Sequence, residues 1–595
     1  MTKPLSKPRS KNKAKTTTPA LTNWRFMLVL GCIMTIFIAI GSRAAYLQVI
    51  HSEDLNRRND SSTIRNKSED VLRGMILDRN GIELAVSVSV QAIWADPKII
   101  NQTSIKSQLA VSNDKRWMAL ADVLHIKREK LFARVSNPAK RFVYLMRQVE
   151  PAMADYVKKL KIPGVYLRKE SKRYYPNGEI SAHLVGFTNL DAQGIDGIEK
   201  LYNKQLVGTS GSRKVRKDAK GREVEVLEEV APVAGQTLAL SIDQRIQAIA
   251  YKAVKSAVTS FSATSGSAVV VDVKTGEVLA LVNSPSYNPN NRRGVSAHRF
   301  RNRAVTDVFE PGSILKPIAA ISALEFGSYK ATDEINTSPG WMRVSGSRVE
   351  DSRNYGKLDM SGILQHSSNV GITKLALSMP KEHFLETFYK LGFGSPTGLS
   401  LVGERAGVFG NRTRWSDFEI ATLSFGYGLS VTTVQLARMY ATLGNEGVSQ
   451  YLSILKRDES TSHETGERVI QASTAKQVML MLESVLAEGG TGTKAAVAGY
   501  RIAGKTGTSR MASGGSYGSD YVGSFGGVGP VSDPKIAVVV LIVDPAGDYF
   551  YGNDVAGPAF STIMGSALQL LNVPPDADDM RNKRIIAANR RLANG

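Results

Sequence analysis

An uncharged apolar run near the N-terminus constrains this chain more than any other feature. Residues 26–41 contain no charged side chain, and the run extends to Ile50 if Arg43 reaches out to the lipid headgroups. A helix of about 20 apolar residues crosses a bilayer, so this stretch predicts a membrane-spanning segment. Residues 1–25 carry seven basic side chains and no acid, which predicts a cytoplasmic N-terminus with the rest of the chain outside.

A cleaved signal peptide is the alternative interpretation of this run, with Ser42-Arg-Ala44 as its cleavage site. We favour an anchor, because an arginine is unfavourable at a cleavage site and the apolar run is long. The sequence therefore predicts a basic cytoplasmic tail over residues 1–23 and a transmembrane anchor over residues 24–50.

Composition narrows the classes of function. Of 595 residues, 42% are apolar and 22% are charged, which is typical of a globular protein with two or three domains. The net charge of +22 suits nucleic acid, anionic lipid or a cell-wall polymer, but no basic run is interleaved with aromatic residues, so we expect no nucleic acid. A single cysteine, Cys32, and the lack of a His-Glu-x-x-His pattern predict no disulfide, no metal site and no cofactor.

The remaining chain divides into two regions, and the expected fold class is α+β multidomain. Residues 65–235 mix strand-like and helical patterns without clustered catalytic residues, which indicates a pedestal or docking domain. Residues 236–575 begin with a strand and a helix capped by Asp243 and end with strands and a helix, which favours an antiparallel sheet closed by both ends of the region. A largely helical part lies between them, and residues 576–595 form a charged C-terminal tail.

Three short motifs follow one another in the second region. Ser313-Ile-Leu-Lys316 comes directly after a Pro-Gly pair and opens an apolar helix, so the lysine lies one turn from the serine. Ser367-Ser-Asn369 follows in a helix-to-loop context, and Lys505-Thr-Gly-Thr508 follows at the end of a short strand. Each motif alone has many ordinary occurrences, and Lys274-Thr-Gly276, for example, reads as a hairpin turn. The ordered set is much rarer than any of its members.

The first motif has the chemistry of an activated nucleophile. A serine at a helix start lies beside free backbone N–H groups that stabilise a developing anion. Lys316 can act as its general base if the lysine pKa falls by roughly 2–3 units from about 10.4. Burial and a second cation lower a lysine pKa, and Lys505 would be that cation if it lines the same cleft.

The other two motifs supply the remaining functions of an acyl-transfer site. Ser367 would relay a proton, and Asn369 would orient the lysine and a substrate amide. Thr506 and Thr508 would bind a substrate carboxylate, Gly507 lets the backbone approach closely, and the N–H of Thr508 would complete an oxyanion hole with that of the serine. Taken singly, a helix cap, a solvated lysine and a polar loop are the more common explanations of these residues, and only the three motifs together favour the catalytic interpretation. His366 has no aspartate partner that would make a Ser-His-Asp triad.

The three motifs resemble the active site shared by penicillin-binding proteins and serine β-lactamases. The anchor, Arg73-Gly-Met-Ile-Leu-Asp-Arg-Asn-Gly81 and Arg173-Tyr-Tyr-Pro-Asn-Gly178 are similar to segments of class B penicillin-binding proteins. Gly194-Ile-Asp-Gly-Ile-Glu199 and Leu364-Gln-His-Ser-Ser-Asn369 resemble segments of the septal transpeptidases of Gram-negative bacteria. This resemblance covers the chain from the anchor to about residue 570 and implies a transpeptidase fold over the second region.

The resemblance implies a peptidoglycan D,D-transpeptidase of the inner membrane with its catalytic domain in the periplasm. Ser313 would attack the penultimate D-alanine of a stem pentapeptide, release D-alanine and pass the acyl group to an amine, and β-lactams would acylate the same serine. A lipid II polymerase of the FtsW type and other division proteins are the implied partners. Open alternatives are an elongation transpeptidase, a carboxypeptidase or β-lactamase that uses water, a β-lactam sensor, and a scaffold without turnover.

Overall fold

The computed structural model describes residues 23–50, 53, 57, 60, 63–69, 71–218, 222–410, 414–457, 466–513 and 516–577. The predicted tails over residues 1–23 and 576–595 lie outside these residues, apart from Asn23, Asp576 and Ala577. The described chain forms two compact units: residues 1–70 with 210–232, and residues 71–209 with 233–595.

The first unit contains the apolar helix and a small sheet. The helix Asn23–Ala45 continues into a wider turn, Tyr46–Ile50, and no side chain of the helix is buried. It is the one helix within the described residues that is long and apolar enough to cross a membrane, in agreement with the predicted anchor. Three antiparallel strands form the sheet, in the order Ile64–Glu69, Gly211–Lys217 and Glu223–Val230.

The second unit begins with the pedestal, whose elements alternate between strands and helices. The strands are Ile76–Leu77, Glu83–Ala95, Val143–Val149, Val165–Tyr174, Phe187–Thr188 and Gly194–Asp196. The helices and 3₁₀ turns are Pro97–Ser107, Val111–Asn113, Lys115–Val123, Arg128–Val135, Pro151–Lys159, Gly178–Ile180, Ala182–Val185, Gly197–Leu201 and Asn203–Val207. Four of the helices, Pro97–Ser107, Lys115–Val123, Arg128–Val135 and Pro151–Lys159, share a small apolar core with the strands Glu83–Ala95 and Val143–Val149, and this core includes Trp117 and Leu131.

A buried ionic cluster joins distant segments of the pedestal. Arg73 Nε donates to Glu199 Oε2 at 2.5 Å, and Arg173 Nε donates to Glu199 Oε1 at 2.6 Å, with all three side chains almost fully buried. Asn203 and the carbonyl oxygens of Ala192 and Glu199 accept the remaining donors of Arg73. A buried charge is tolerated only when it is paired and hydrogen-bonded. The segments that carry Arg73, Arg173 and Glu199 must therefore stay together for these charges to remain paired.

The transpeptidase part is built on a five-stranded antiparallel sheet. Its strands lie in the order Val278–Ser284, Ser265–Asp272, Ile536–Val543, Ser516–Gly529 and Ala503–Ser513. The helices Gln244–Ser260 and Gly557–Leu570 pack against each other and against the sheet. The fold therefore confirms the expected antiparallel sheet closed by both ends of the region, with Asp243 capping the first helix by accepting from Arg245 N.

The mostly helical remainder covers the other face of the sheet. Its helices and 3₁₀ turns are Ala297–Phe300, Arg303–Thr306, Gly312–Leu315, Lys316–Phe326, Met360–Gln365, Asn369–Ala376, Lys381–Lys390, Asp417–Ser424, Thr433–Gly444 and Ala472–Glu483. The 3₁₀ turn Thr493–Ala495 and the short helix Gly552–Val555 instead pack with the two closing helices. The short strands are Ile335–Asn336, Trp341–Val344, Ser347–Glu350, Lys357–Leu358, Val448–Ser449 and Glu467–Arg468. One further short strand, Leu238–Ala239, pairs in parallel with Ile76–Leu77 of the pedestal. The helix Lys316–Phe326 runs through the apolar core, and every side chain from Lys316 to Ala323 is buried.

Candidate active site

Ser313 lies in a tight turn that opens a buried helix. The 3₁₀ turn Gly312–Leu315 leads directly into the helix Lys316–Phe326, which confirms the predicted helix start. Gly312 has φ +63°, and a Cβ at this position would lie 2.9 Å from the carbonyl oxygen of Thr508. Only glycine therefore allows the turn to lie this close to the strand Ala503–Ser513. Ser313 itself is partly exposed, whereas its neighbours are buried.

Lys316 is fully buried and is surrounded by hydrogen-bond acceptors. Its Nζ lies 2.5 Å from Ser367 O, 3.0 Å from Ser367 Oγ and 2.8 Å from Asn369 Oδ1. Burial lowers the pKa of Lys316 well below its ordinary value, the charge of Lys505 lowers it further, and Asp351 acts in the opposite direction. A lowered pKa favours the neutral amine form of this lysine.

The Ser367–Asn369 segment is a sharp link between two helices. Ser367 has φ +58°, and Ser368 caps the helix Asn369–Ala376 by accepting from Gly371 N at 2.9 Å. The Ser368 hydroxyl also donates to Asp351 Oδ2 at 2.6 Å, and Asp351 Oδ1 accepts from Val370 N at 2.9 Å. Asp351 therefore fixes the link that presents Ser367 and Asn369 to the buried lysine.

The third motif lies inside an edge strand of the main sheet. Lys505, Thr506, Gly507 and Thr508 are all part of Ala503–Ser513 and pair with residues 523–526 of the next strand. Burial lowers the pKa of Lys505 to about 7, and its Nζ lies 3.3 Å from the Thr506 hydroxyl. Thr508 Oγ1 accepts from Gly552 N at 3.0 Å, which leaves its hydroxyl hydrogen free to donate to a ligand.

The mouth of the site is bordered by a carboxylate and two tyrosines. Glu310 accepts from Gly428 N and from Tyr517 OH, both at 2.9 Å. The ring of Tyr427 meets the ring of Tyr517 edge to face, with centroids 5.7 Å apart. The loop that contains Gly428 and the strand that contains Tyr517 are thus tied to the segment just before Ser313.

The structure brings the three predicted motifs together. Lys316, Ser367 and Asn369 are in direct contact, the charge of Lys505 acts on Lys316, and the nucleophile turn lies against the carbonyl of Thr508. The roles assigned to these residues stay predictions. His366 stacks on Tyr355 with centroids 5.1 Å apart, as suits a structural neighbour.

Two details of the sequence analysis were incomplete. We expected the third motif at the end of a short strand, but that strand continues to Ser513, and its antiparallel partner begins at Ser516. Asp351 was missed entirely, because it lies 38 residues after Ser313 in a stretch with no motif of its own. Only the fold places it beside Ser368.

Two family models match this chain. The model of the penicillin-binding protein transpeptidase domain matches residues 266–565. The model of the penicillin-binding protein dimerisation domain matches residues 68–240.

Full-length relatives and solved structures are similar over most of their length. The peptidoglycan D,D-transpeptidase FtsI of Escherichia coli K12 is 48% identical over 570 residues, covering 96% of this chain and 95% of that protein. A peptidoglycan synthetase structure from Bifidobacterium adolescentis has a TM-score of 0.68 at 29% identity, covering 86% of this chain and 98% of that one. The transpeptidase domain of Burkholderia pseudomallei penicillin-binding protein 3 has a TM-score of 0.53 at 40% identity, covering 57% of this chain and 97% of that one. With both domain models matched in this order, the chain belongs to the penicillin-binding proteins, as a transpeptidase domain that follows a dimerisation domain.

Proposed function

We propose that this FtsI-type peptidoglycan D,D-transpeptidase cross-links stem peptides through an acyl-enzyme formed on Ser313. The observation that carries the proposal is the environment of Lys316, which is fully buried and lies within hydrogen-bond distance of Ser367 and Asn369. Burial and the Lys505 charge both lower its pKa, which favours the neutral amine that a general base requires.

In the first half-reaction, the Ser313 hydroxyl oxygen attacks the carbonyl carbon of the penultimate D-alanine, and its proton passes to Lys316 Nζ. The N–H groups of Ser313 and Thr508 stabilise the oxyanion. The carbon–nitrogen bond to the terminal D-alanine then breaks, and the leaving amine takes the proton from Lys316 through the Ser367 hydroxyl. An ester on Ser313 and free D-alanine result.

The second half-reaction runs the same steps in reverse with a different amine. An amine of a neighbouring stem attacks the ester carbonyl and gives its proton to Lys316 through Ser367, and Ser313 recovers its hydroxyl hydrogen. Asn369 holds Lys316 and the substrate amide, and Thr506 and Thr508 bind the substrate carboxylate beside the edge strand. Lys505 supplies the second positive charge and takes part in the proton relay through Ser367. Gly507 allows the edge strand to lie close to the residues before Ser313, because a Cβ at this position would be 2.9 Å from Pro311 O and 2.3 Å from Ser524 Oγ. A β-lactam acylates Ser313 by the first half-reaction, and its ring remains attached because the cleaved amide stays tethered.

A product assay tests this proposal. The full chain in detergent micelles is incubated with uncross-linked glycan strands that carry pentapeptide stems, and D-alanine and muropeptides are measured by mass spectrometry. We expect one D-alanine released per cross-link formed, and no product from Lys316→Ala. Lys476→Ala is the matched control, because Lys476 is exposed on the helix Ala472–Glu483. Release of D-alanine with trimmed stems and no cross-links would contradict transpeptidation and indicate a carboxypeptidase.

The domain boundaries belong to the same proposal. Residues 1–23 form the cytoplasmic tail, 24–50 the inner-membrane anchor, 65–235 the periplasmic pedestal, 236–575 the transpeptidase domain and 576–595 the C-terminal tail. The apolar helix and the seven basic side chains before residue 26 support an orientation with the N-terminus in the cytoplasm. A cysteine placed at residue 5 and one placed at residue 300 test the orientation. A membrane-impermeant maleimide applied to intact spheroplasts should label only the second.

We also propose a role in septum formation with an FtsW-type lipid II polymerase and other division proteins as partners, supported by the 48% identity to FtsI of Escherichia coli. Depletion of the protein should give filaments without septa. Round cells would indicate an elongation role. Replacing residues 24–49 with an unrelated membrane helix should reduce co-purification of the polymerase while leaving penicillin labelling of Ser313 unchanged.

A further inference from the structure

A groove lies on the pedestal and shares no lining residue with the three motifs. It has a volume of about 470 Å³ and is formed between the helix Pro151–Lys159 and the strand Val165–Tyr174. Apolar side chains line its floor: Val157 and Ile162 are buried, and Leu167 is half-buried. None of the steps of the transpeptidase reaction described above involves a residue of this groove.

One wall of the groove is a strand with an open edge. Among the residues that the structure describes, Val165–Tyr174 pairs only with Glu83–Ala95. Asp96 N donates to Gly164 O at 2.8 Å, so the backbone groups of Gly164 point toward the neighbouring strand. In an antiparallel pair the residues alternate, so the backbone groups of every second residue after Val165 point away from that neighbour. The backbone groups of Leu167 and Lys169 therefore face away from the sheet. An open strand edge of this kind can pair with another extended chain.

The usable part of this edge is short. Ser171 O accepts a hydrogen bond from Gln148 Nε2 at 3.3 Å, which occupies the edge beyond Lys169. The open stretch thus runs from Val165 to Lys169, where the groove lies alongside it. A strand of about five or six residues would fill it.

The rim of the groove is positively charged. Lys158, Lys161 and Lys169 are exposed, and Asp155 is the only acid among the lining residues. No ion pair within the described ranges involves these three lysines. A second copy of this chain that paired edge to edge would bring lysines of both copies together, which is unfavourable. Charge complementarity instead favours an acidic occupant.

We infer that the groove binds an extended acidic segment of another protein, which adds to the edge of Val165–Tyr174 as a further strand. Its backbone exchanges hydrogen bonds with Leu167 and Lys169, and alternate apolar side chains enter the groove against Val157 and Ile162. Its acidic side chains lie near the rim lysines. The pedestal thereby serves as a docking site for a partner with alternating acidic and apolar residues.

Peptide binding to the full chain in detergent micelles tests the charge requirement. The probe is a fluorescein-labelled, C-terminally amidated peptide of sequence Glu-Val-Glu-Val-Thr-Val-Glu, and binding is followed by fluorescence anisotropy. We expect saturable binding that becomes about tenfold weaker or more in the triple variant Lys158→Glu, Lys161→Glu and Lys169→Glu. The control changes three exposed pedestal lysines outside the groove, Lys106→Glu, Lys130→Glu and Lys140→Glu, with the same change in net charge. Penicillin acylation should be unchanged in both variants.

A second pair of peptides tests strand addition itself. One peptide carries N-methyl groups on its odd-numbered residues and the other on its even-numbered residues. Because alternate N–H groups of an extended peptide point to opposite edges, each peptide loses the hydrogen-bond donors of one of its own edges only. We expect one of them to lose binding and the other to keep it. Equal binding of both, equal loss in the control variant, or no binding of the acidic peptide at millimolar concentration would overturn the inference. A dimer in sedimentation experiments that the groove variant abolishes would replace it with self-association.

Discussion

Replacing Gly312 with alanine tests how the nucleophile turn is held against the edge strand. Gly312 has φ +63°, and alanine in this left-handed region costs about 1–2 kcal/mol. The new Cβ would also lie 2.9 Å from Thr508 O and 3.3 Å from Ser509 Cβ. A carbon–oxygen contact normally lies at about 3.3–3.6 Å, so the turn or the strand must move by a few tenths of an ångström.

A displacement of this size should affect catalysis more than folding. Oxyanion-hole donors act only within about 2.7–3.1 Å of the developing charge, and loss of one such donor typically costs about 10²–10³ in rate. We therefore expect Gly312→Ala to lower the acylation rate constant with a fluorescent penicillin by about 100-fold. The free energy of unfolding should fall by only about 1–2 kcal/mol, measured by thermal denaturation.

Gly327→Ala provides a matched control at the other end of the same helix. Gly327 caps the helix Lys316–Phe326 with φ +79°, and a Cβ there would meet no atom within 4 Å. This variant should lose similar stability but acylate at the normal rate. If Gly312→Ala acylates within about twofold of Gly327→Ala, the close approach of the turn to Thr508 does not matter and the reasoning is refuted.

Three further predictions concern charge. Asp351→Asn removes the negative charge that raises the pKa of Lys316, so the acid limb of the acylation–pH profile should move to lower pH, and an upward shift would contradict the account. Lys505→Gln removes the cation that lowers the same pKa, so the limb should move to higher pH in stopped-flow acylation, and an unchanged limb would show that the two lysines do not interact. In the pedestal, Glu199→Ala leaves two buried arginines without a carboxylate and should lower stability by about 3–5 kcal/mol. Exposed Glu150→Ala is the control in the same denaturation assay, and equal effects would refute a structural role for the cluster.

The local features of the fold could be predicted from the sequence because short-range rules determine them. The Pro-Gly pair before Ser313 and the glycine after Phe326 mark the two ends of the buried helix, as the structure confirms. The cap at Asp243 and the hairpin turn after Asp272 follow from the same kind of rule. The three motifs could be assigned to one site from the sequence, because a serine nucleophile, its lysine base and the groups that orient them must be in contact to act.

Long-range pairing explains what the sequence could not predict. The strand of the third motif continues past Thr508 because residues 509–513 pair with residues 516–522 of the next strand. Asp351 reaches Ser368 only because the hairpin formed by Trp341–Val344 and Ser347–Glu350 turns back toward the active site. Neither contact leaves a pattern in a single sequence.

Intact-protein mass spectrometry after incubation with benzylpenicillin, followed by peptide mapping of the modified chain, tests directly whether Ser313 carries the acyl group. We expect one penicilloyl group per chain, located on the peptide that contains Ser313, and no adduct in Ser313→Ala. Lys316→Ala should form the same adduct far more slowly, because the serine has lost its base. An adduct on any other residue, or one that persists in Ser313→Ala, would contradict the assignment of Ser313 as the residue that carries the acyl group.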